Sequence, residues 1–227
     1  MAARLLTRWL GRRRPPRELD VRAAYALWAE TYPPAAHTPL MDLEQGAMVR
    51  LIPPCGEKRV LDLGCGSGRY LRLLRPQRPR VAIGLDFSPE MLARARGLCA
   101  PLVRGELRAL PFAERSFDLV VSGLVVGHLP ELAGFLREVS RVMRQGGTVV
   151  YSDLHPEGAR AGWARTFRAA DGSVYSVPHH VHSRSDHERA CEAAGLEIET
   201  ILEPEVSVPH PWRGRPAALV VRAQRSG

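Results

Sequence analysis

The sequence predicts an α/β domain: a seven-stranded, mostly parallel sheet with helices on both faces, a helical N-terminal cover and an insert after the fifth strand. Three observations predict it. Apolar runs at Arg59–Leu63, Val81–Asp86, 101–104, Phe117–Ser122 and 148–153 alternate with helical patterns, which calls for crossover connections and parallel pairing. The first run passes directly into three glycines at alternate positions, Gly64, Gly66 and Gly68. The second run ends in a carboxylate, Asp86, eighteen residues beyond Gly68.

Residues 1–18 read as a basic tail, with Arg4, Arg8, Arg12, Arg13, Arg14 and Arg17 ahead of the first acidic residue, Glu18. Residues 19–54 read as a helical lid, with helices at 21–32 and 40–51 broken by Pro33-Pro34. The main domain takes in residues 55–227. In its first turn, glycine lets the backbone bend sharply and come close to a ligand. The following helix, 67–74, aims its free N–H groups at that turn. After the fourth strand, Pro130 and Glu131 open a helix. Leu132, Phe135, Leu136, Val139, Val142 and Met143 recur at helical spacing, and Gly146-Gly147 should stop it. Residues 154–183 show little periodicity. A helix at 185–194 follows, then two apolar runs, 196–202 and 217–221, that can close the sheet as a hairpin.

Composition sets bounds. At 227 residues the chain can bury a full core. No apolar stretch has the length of a membrane span. Cys55, Cys65, Cys99 and Cys191 are scattered, which suits reduced thiols in the cytoplasm rather than a disulfide framework. The net charge is +8, yet all but one of the 32 basic residues are arginine, the exception being Lys58. That bias fits genome composition better than selection for a nucleic-acid surface. A basic tail alone does not specify a partner.

The glycine spacing carries the chemistry. A dinucleotide turn is G-x-G-x-x-G, whereas here the pattern is Asp62-x-Gly64-x-Gly66-x-Gly68. A strand-terminal acid such as Asp86 is placed to hold a ribose diol. The pattern resembles the first motif of class I S-adenosylmethionine-dependent methyltransferases, D/E-x-G-x-G-x-G. Glu106-Leu107-Arg108-Ala109-Leu110-Pro111-Phe112 resembles that family's D-A-x-x-L-P-F segment. Ser116 to Ser122 resembles its S-F-D-x-V-x-S strand, and Arg141 to Gly147 its R-V-L-K-P-G-G segment. Ala24 to Tyr32 resembles the Y-D-x-W-A-x-x-Y lead of the small-molecule branch, including enzymes of biotin and quinone biosynthesis, with Ala26 where the acid usually stands.

The resemblance implies a Rossmann-like fold, S-adenosylmethionine as cofactor and S-adenosylhomocysteine as product. It assigns Gly64, Cys65, Gly66 and Gly68 to the methionine moiety, Asp62 to the ammonium and Asp86 to the ribose. Phe87 and Met91 would pack the adenine, Met91 serving equally well as helix core. Glu106 and Leu107 would line the adenine edge. Ser122 and Leu124 would offer backbone groups near the sulfur. His128 stands where a pair of histidines is common, Gly127 replacing the first; it is either a contact or a polar helix start. Tyr25, Trp28 and His37 are lid candidates, or an aromatic stripe packing α-helix on core.

Methyl transfer is an in-line displacement, so alignment supplies most of the catalysis. An acceptor of high pKa would also need a base. Candidates are Asp153 and His155 just past the fifth strand, His180, and Tyr32 on the lid. Trp163, His179 and His182 lie in the insert and could cover substrate. His179-His180-x-His182 has no Cys or carboxylate partner at ligand spacing, so no metal is expected. Absence of the N-P-P-Y/F motif and of a second RNA module points to a small-molecule acceptor, free or carrier-bound, in a biosynthetic pathway. The alternatives are an RNA or protein methyltransferase using the basic tail, and a non-methylating binding or regulatory protein on the same fold.

Overall fold

A computed structural model describes residues 16–208 and 210–226. Most of the expected basic tail, residues 1–15, lies outside the described residues. Its last part does not: β1 (Arg17–Glu18) is a short strand. Asp20 then caps α1 (Val21–Trp28), its carboxylate accepting from the amides of Arg22 and Ala23. The helix ends at Trp28, short of the expected residue 32. Thr38 caps α2 (Pro39–Leu51), which has proline at its first position, where no N–H is needed.

The main sheet follows as β2 (Arg59–Leu63), α3 (Arg69–Leu74), β3 (Val81–Asp86), α4 (Pro89–Ala95), β4 (Leu102–Arg104), β5 (Phe117–Ser122), α5 (Ala133–Val142) and β6 (Met143–Leu154). Then come α6 (Pro156–Arg160), β7 (Arg165–Arg168), β8 (Val174–Val177), α7 (Arg184–Ala193), β9 (Leu196–Leu202) and β10 (Ala218–Arg225). Seven strands pair in the order β4-β3-β2-β5-β6-β10-β9. All pairs from β4 to β6 are parallel, and β10 and β9 are antiparallel. The chain leaves β2 toward β3 and β4, then returns to place β5 on the other side. That reversal opens a crevice at the carboxyl ends of β2 and β5.

Two details of the strand–helix reading change. Gly146-Gly147 do not stop α5. The helix ends at Val142, Met143 turns extended, and the glycines lie inside β6 where its register with β5 shifts. The insert after the fifth strand is not irregular: β7 and β8 pair antiparallel, and β1 adds to β8 in parallel, making a separate three-stranded sheet.

Alternation along the strands sends one side chain set to each face. On one face Leu61, Leu63, Val149, Tyr151, Leu219 and Val221 pack against Phe135, Leu136 and Val139 of α5 and Cys191 of α7. On the other, Val60, Leu119, Val121, Val150 and Val220 pack against Ala47, Met48 and Leu51 of α2. Met48 is fully buried, worth about 2 kcal/mol over an exposed position. The expected lid over residues 19–54 therefore divides. α2 is a core layer of the main sheet. α1 instead builds a small second core, Ala24 against Phe167, Ala169 and Val177, with Trp28 and Tyr175 beside it. α1 and the β1-β8-β7 sheet together form a cap.

Candidate active site

The loop after β2 needs its glycines. Gly64, Gly66 and Gly68 have φ of 66°, 53° and 85°, which non-glycine residues rarely adopt. A Cβ on Gly64 would fall 2.5 Å from Val125, and one on Gly68 2.2 Å from Leu98. Gly66 faces open space instead. Asp86, at the end of β3, fixes this loop. Its Oδ2 accepts from the Gly66 amide at 2.8 Å and its Oδ1 from the Ser88 amide at 2.9 Å. Each oxygen keeps a second lone pair for an incoming hydroxyl. Burial pushes the Asp86 pKa up, while these amides oppose the shift. Ser122 donates to the Leu63 carbonyl at 2.9 Å and so ties β5 to β2 across the crevice.

Asp62 lies beneath the loop, 1% exposed. Neither carboxylate oxygen reaches a hydrogen-bond partner. Burial pushes its pKa up to about 7, against the pull of Arg69 and with help from Asp86. A buried carboxylate with no partner is costly unless something comes to meet it. Cys65 is buried beside these two acids, and burial raises its thiol far above the ordinary value.

Phe87 carries a groove of about 300 Å³ lined by Arg22, Ala23, Ala26, Ser88, Pro89, Glu90 and Arg104. Arg22 lies 5.4 Å over the Phe87 ring and pairs with Glu106. Leu107 packs at the margin of the core below. Met91 is 1% exposed and its place is in the packing of α4.

Beyond β5 and β6 the cap meets the sheet. Leu124 adopts φ 58°; its amide donates to Ser152 Oγ at 2.8 Å and its carbonyl accepts from Arg165 at 3.0 Å. Both backbone groups of Leu124, one of the two residues expected near the sulfur, are thus engaged by protein. His128 Nε2 lies 2.9 Å from Tyr25 Oη and 2.9 Å from Arg165 Nη1, and its Nδ1 lies 3.3 Å from the Pro178 carbonyl. Burial, then the Arg165 charge, pushes His128 down to about 2, so the ring is neutral, donating from Nδ1 and accepting at Nε2.

Residues 61–151 match the family model described as a methyltransferase domain. Over that span the chain is similar to S-adenosylmethionine-dependent methyltransferases. A demethylmenaquinone methyltransferase of Roseiflexus castenholzii is 39% identical over 43% of this chain and 42% of its own length. A malonyl-[acyl-carrier protein] O-methyltransferase of Dechloromonas aromatica is 31% identical over 76% of this chain and 62% of its own. The chain spans about half the length of the curated relatives it matches. A solved S-adenosylmethionine-dependent methyltransferase from Mesorhizobium loti superposes with a TM-score of 0.68 at 26% identity, covering 81% of this chain and 98% of that one.

The site fits that family's cofactor by its own chemistry. The partnerless Asp62 carboxylate suits an ammonium, the open face of Gly66 admits a chain, and the free lone pairs of Asp86 suit a diol.

The acid–base candidates separate. Asp153 is fully buried, and burial raises it to about 7. It sits 3.8 Å from both His179 and His187. Burial lowers both histidines to about 4. His179 presses on Gly127, where any Cβ would meet its ring at 2.0 Å. The glycine that replaces the expected histidine thus makes room for one from the insert. His180 is exposed, its amide donating to the Gly127 carbonyl, and His182 turns away to the Leu129 carbonyl. The His-His-x-His run does not converge, and no group of three metal-ligating side chains occurs among the described residues. His155 caps α6 and lies 3.7 Å from Glu203. Tyr32 packs edge-on to Trp28 and His37, and burial raises it to about 12, further from the range in which a phenol serves as a base at neutral pH. Trp28 stacks on Phe167. His37 is exposed, and Trp163 packs on Trp212 in a satellite core with Leu40 and Leu43.

Two residues at the site escape the motif reading. Glu44 is fully buried on α2 and accepts from Arg69 at 2.8 Å, Tyr70 at 2.7 Å and Ser152 at 2.6 Å. Its signal was an acid on the apolar stripe of Leu40, Ala47, Met48 and Leu51. Arg165 is the other. Its signal was alternation, since Trp163, Arg165, Phe167 and Ala169 share one strand parity.

Proposed function

We propose that this protein binds S-adenosylmethionine over the Gly64–Gly68 loop and methylates a small acceptor held under the cap, working in the cytoplasm. The bound cofactor supplies an activated methyl on a positive sulfur. The protein's own part is placement. Asp62 holds the ammonium, Asp86 the ribose hydroxyls, and Phe87 with Glu106 the adenine. Tyr25, His128 and Arg165 line the acceptor side, and the cap excludes water. The names of the relatives point to a biosynthetic acceptor, free or on a carrier protein.

One observation carries the reading: Asp86 clamps the glycine loop while Asp62 waits beneath it without a partner. Calorimetry with S-adenosylhomocysteine on wild type and Asp86→Ala tests it. The variant should bind about a hundredfold more weakly, the loss of two charge-assisted hydrogen bonds to the ligand. Equal affinities, or a preference for nicotinamide or flavin nucleotides, would sink the assignment. Asp86→Asn, which keeps the shape of the clamp, separates lost binding from lost folding.

A further inference from the structure

We propose that the turn at 75–80, with Lys58 and Arg50 beside it, docks the protein on an anionic phospholipid surface. This face lies at the amino ends of the strands, away from the crevice, and does not depend on the methyltransferase reading.

The sequence concentrates charge there. Between Asp62 and Asp86 the chain has no acidic residue, and Arg75, Arg78 and Arg80 are interspersed with Pro76 and Pro79. The fold brings further cations to the same place. α3 runs from the glycine loop into the turn, and the turn leads into β3. Lys58 precedes β2, the parallel neighbour of β3, and its carbonyl accepts from the Val81 amide at 3.4 Å. Gln77 Oε1 accepts from the Cys55 amide at 2.9 Å, and the Arg78 carbonyl from the Glu57 amide at 3.2 Å. These bonds fasten the turn to the segment that joins α2 to β2. Arg50 stands on the last turn of α2. Arg50, Arg75, Arg78 and Arg80 are exposed, and Lys58 is half-buried. Among the described residues none of the five forms an ion pair. Glu57 is the acid that stands beside them in the chain.

Arg78 supplies an independent sign. Its φ of 54° lies in the left-handed region, where glycine or asparagine costs less. An exposed arginine kept in a strained conformation adds little burial, so its use lies in its charge.

The neighbours select the partner. Val49 adjoins Arg50, and Leu73 stands two residues before Arg75; both are among the exposed large apolar side chains. Cations beside bare aliphatic groups suit a headgroup layer, where guanidinium meets phosphate and the aliphatic groups enter the acyl boundary. A single-stranded nucleic acid calls for aromatic platforms, and no aromatic side chain is exposed among the described residues. A carrier protein delivering an acceptor belongs at the other end. β3 has six residues. Its length puts Asp86 about 20 Å from Arg80. Docked by the turn, the protein holds its crevice and cap toward water.

The test is cosedimentation of the full chain with vesicles of phosphatidylcholine alone or mixed with phosphatidylglycerol. Wild type should bind the mixed vesicles at least about tenfold more tightly, and added salt should shrink the preference. Arg75→Gln/Arg80→Gln should weaken that binding about tenfold or more. Arg184→Gln/Arg189→Gln removes the same charge from α7 and should stay within about twofold. Arg78→Gly separates charge from folding. It relieves the strained φ, so the melting temperature should hold or rise while vesicle binding falls several-fold. Affinity for S-adenosylhomocysteine should not change in any of these variants. A wild type that ignores S-adenosylhomocysteine yet prefers anionic vesicles fails the methyltransferase reading and supports this one. Equal binding to the two vesicle types overturns the proposal. Equal losses in the two double variants do the same, since net charge would then account for the binding. Tighter binding of polyuridylate than of vesicles through the same arginines would assign the face to nucleic acid and overturn the bilayer.

Discussion

Below the crevice, Glu44, Asp62, Asp86 and Ser122 are all at most 7% exposed, and three of the four are held by named hydrogen bonds. Above it, the cap rests on a core of Ala24, Phe167, Ala169 and Val177, and its polar ties to the sheet are the half-buried cluster of Tyr25, His128 and Arg165 and the exposed Arg22–Glu106 pair. The floor is rigid and charged, while the cap is small, aromatic and joined by few bonds. The difference teaches a division of labour. A cofactor with fixed chemistry is met by fixed acids, and a variable acceptor is met by a module that can be exchanged without disturbing the sheet.

The sharpest way to break that contrast is to cut the weld under the floor. Glu44→Ala leaves Arg69, Tyr70 and Ser152 buried without their shared acceptor. Removing one partner of a buried charged network costs about 3–5 kcal/mol. The urea midpoint should fall accordingly with an unchanged slope. A drop below about 1 kcal/mol would mean that α2 is held by Met48 and its apolar neighbours alone.

The contrast was also visible in how far each region could be read. Three strands of the floor, Arg59–Leu63, Val81–Asp86 and Phe117–Ser122, have the bounds that their apolar runs predict. Parallel strands are buried on both faces and so announce themselves as continuous apolar runs. The cap has four-residue strands with one wet face, and its parallel partner is two residues from the far end of the chain. No local pattern reports such a pairing. One signal was present and missed: Asp171-Gly172-Ser173 between two alternating runs is hairpin chemistry, and Asp171 does cap the Ser173 amide at 2.8 Å. Gly146-Gly147 misled in the opposite sense, because positive φ serves a strand irregularity as well as a helix end. At the site, glycine spacing located the cofactor loop. Glu44 and Arg165 escaped because their meaning lies in what three distant segments bring to them.

A second test sharpens the floor's role through pH. The Asp62 carboxyl titrates at about 7 in the unliganded protein. An ammonium partner needs the carboxylate. S-adenosylhomocysteine affinity should therefore fall below pH 7, approaching tenfold per pH unit, and Asp62→Asn should bind weakly with that dependence removed. The sign for stability is opposite. The folded pKa lies above the ordinary carboxylate range, so the folded state holds this proton more tightly than the unfolded chain. The contribution is favourable at low pH and is lost as pH rises from about 4 to about 7. At pH 8 the unliganded Asp62→Asn protein should melt above wild type. Asp153 shifts in the same direction, so a residual slope should survive the substitution. A variant that binds ligand as tightly as wild type at pH 6 and pH 8 alike would remove Asp62 from the site.

The smallest expected effect probes the border between the two regions. Arg22 of the cap pairs with Glu106 of the floor, and both side chains are more than half exposed. Such a pair contributes at most about 1 kcal/mol to stability, so Arg22→Ala should leave the melting temperature within error. Its effect on ligand should be larger than on folding, and favourable. In the structure the guanidinium covers Phe87 and occupies the carboxylate assigned to the adenine edge. An incoming purine must displace it, losing one cation–π contact worth about 0.5–1 kcal/mol at an exposed site. Truncation removes that competition, and S-adenosylhomocysteine affinity should rise by about two- to fivefold with the on-rate carrying the gain. Weaker binding would place Arg22 among the residues that grip the cofactor, and the line between floor and cap would then run on the solvent side of α1.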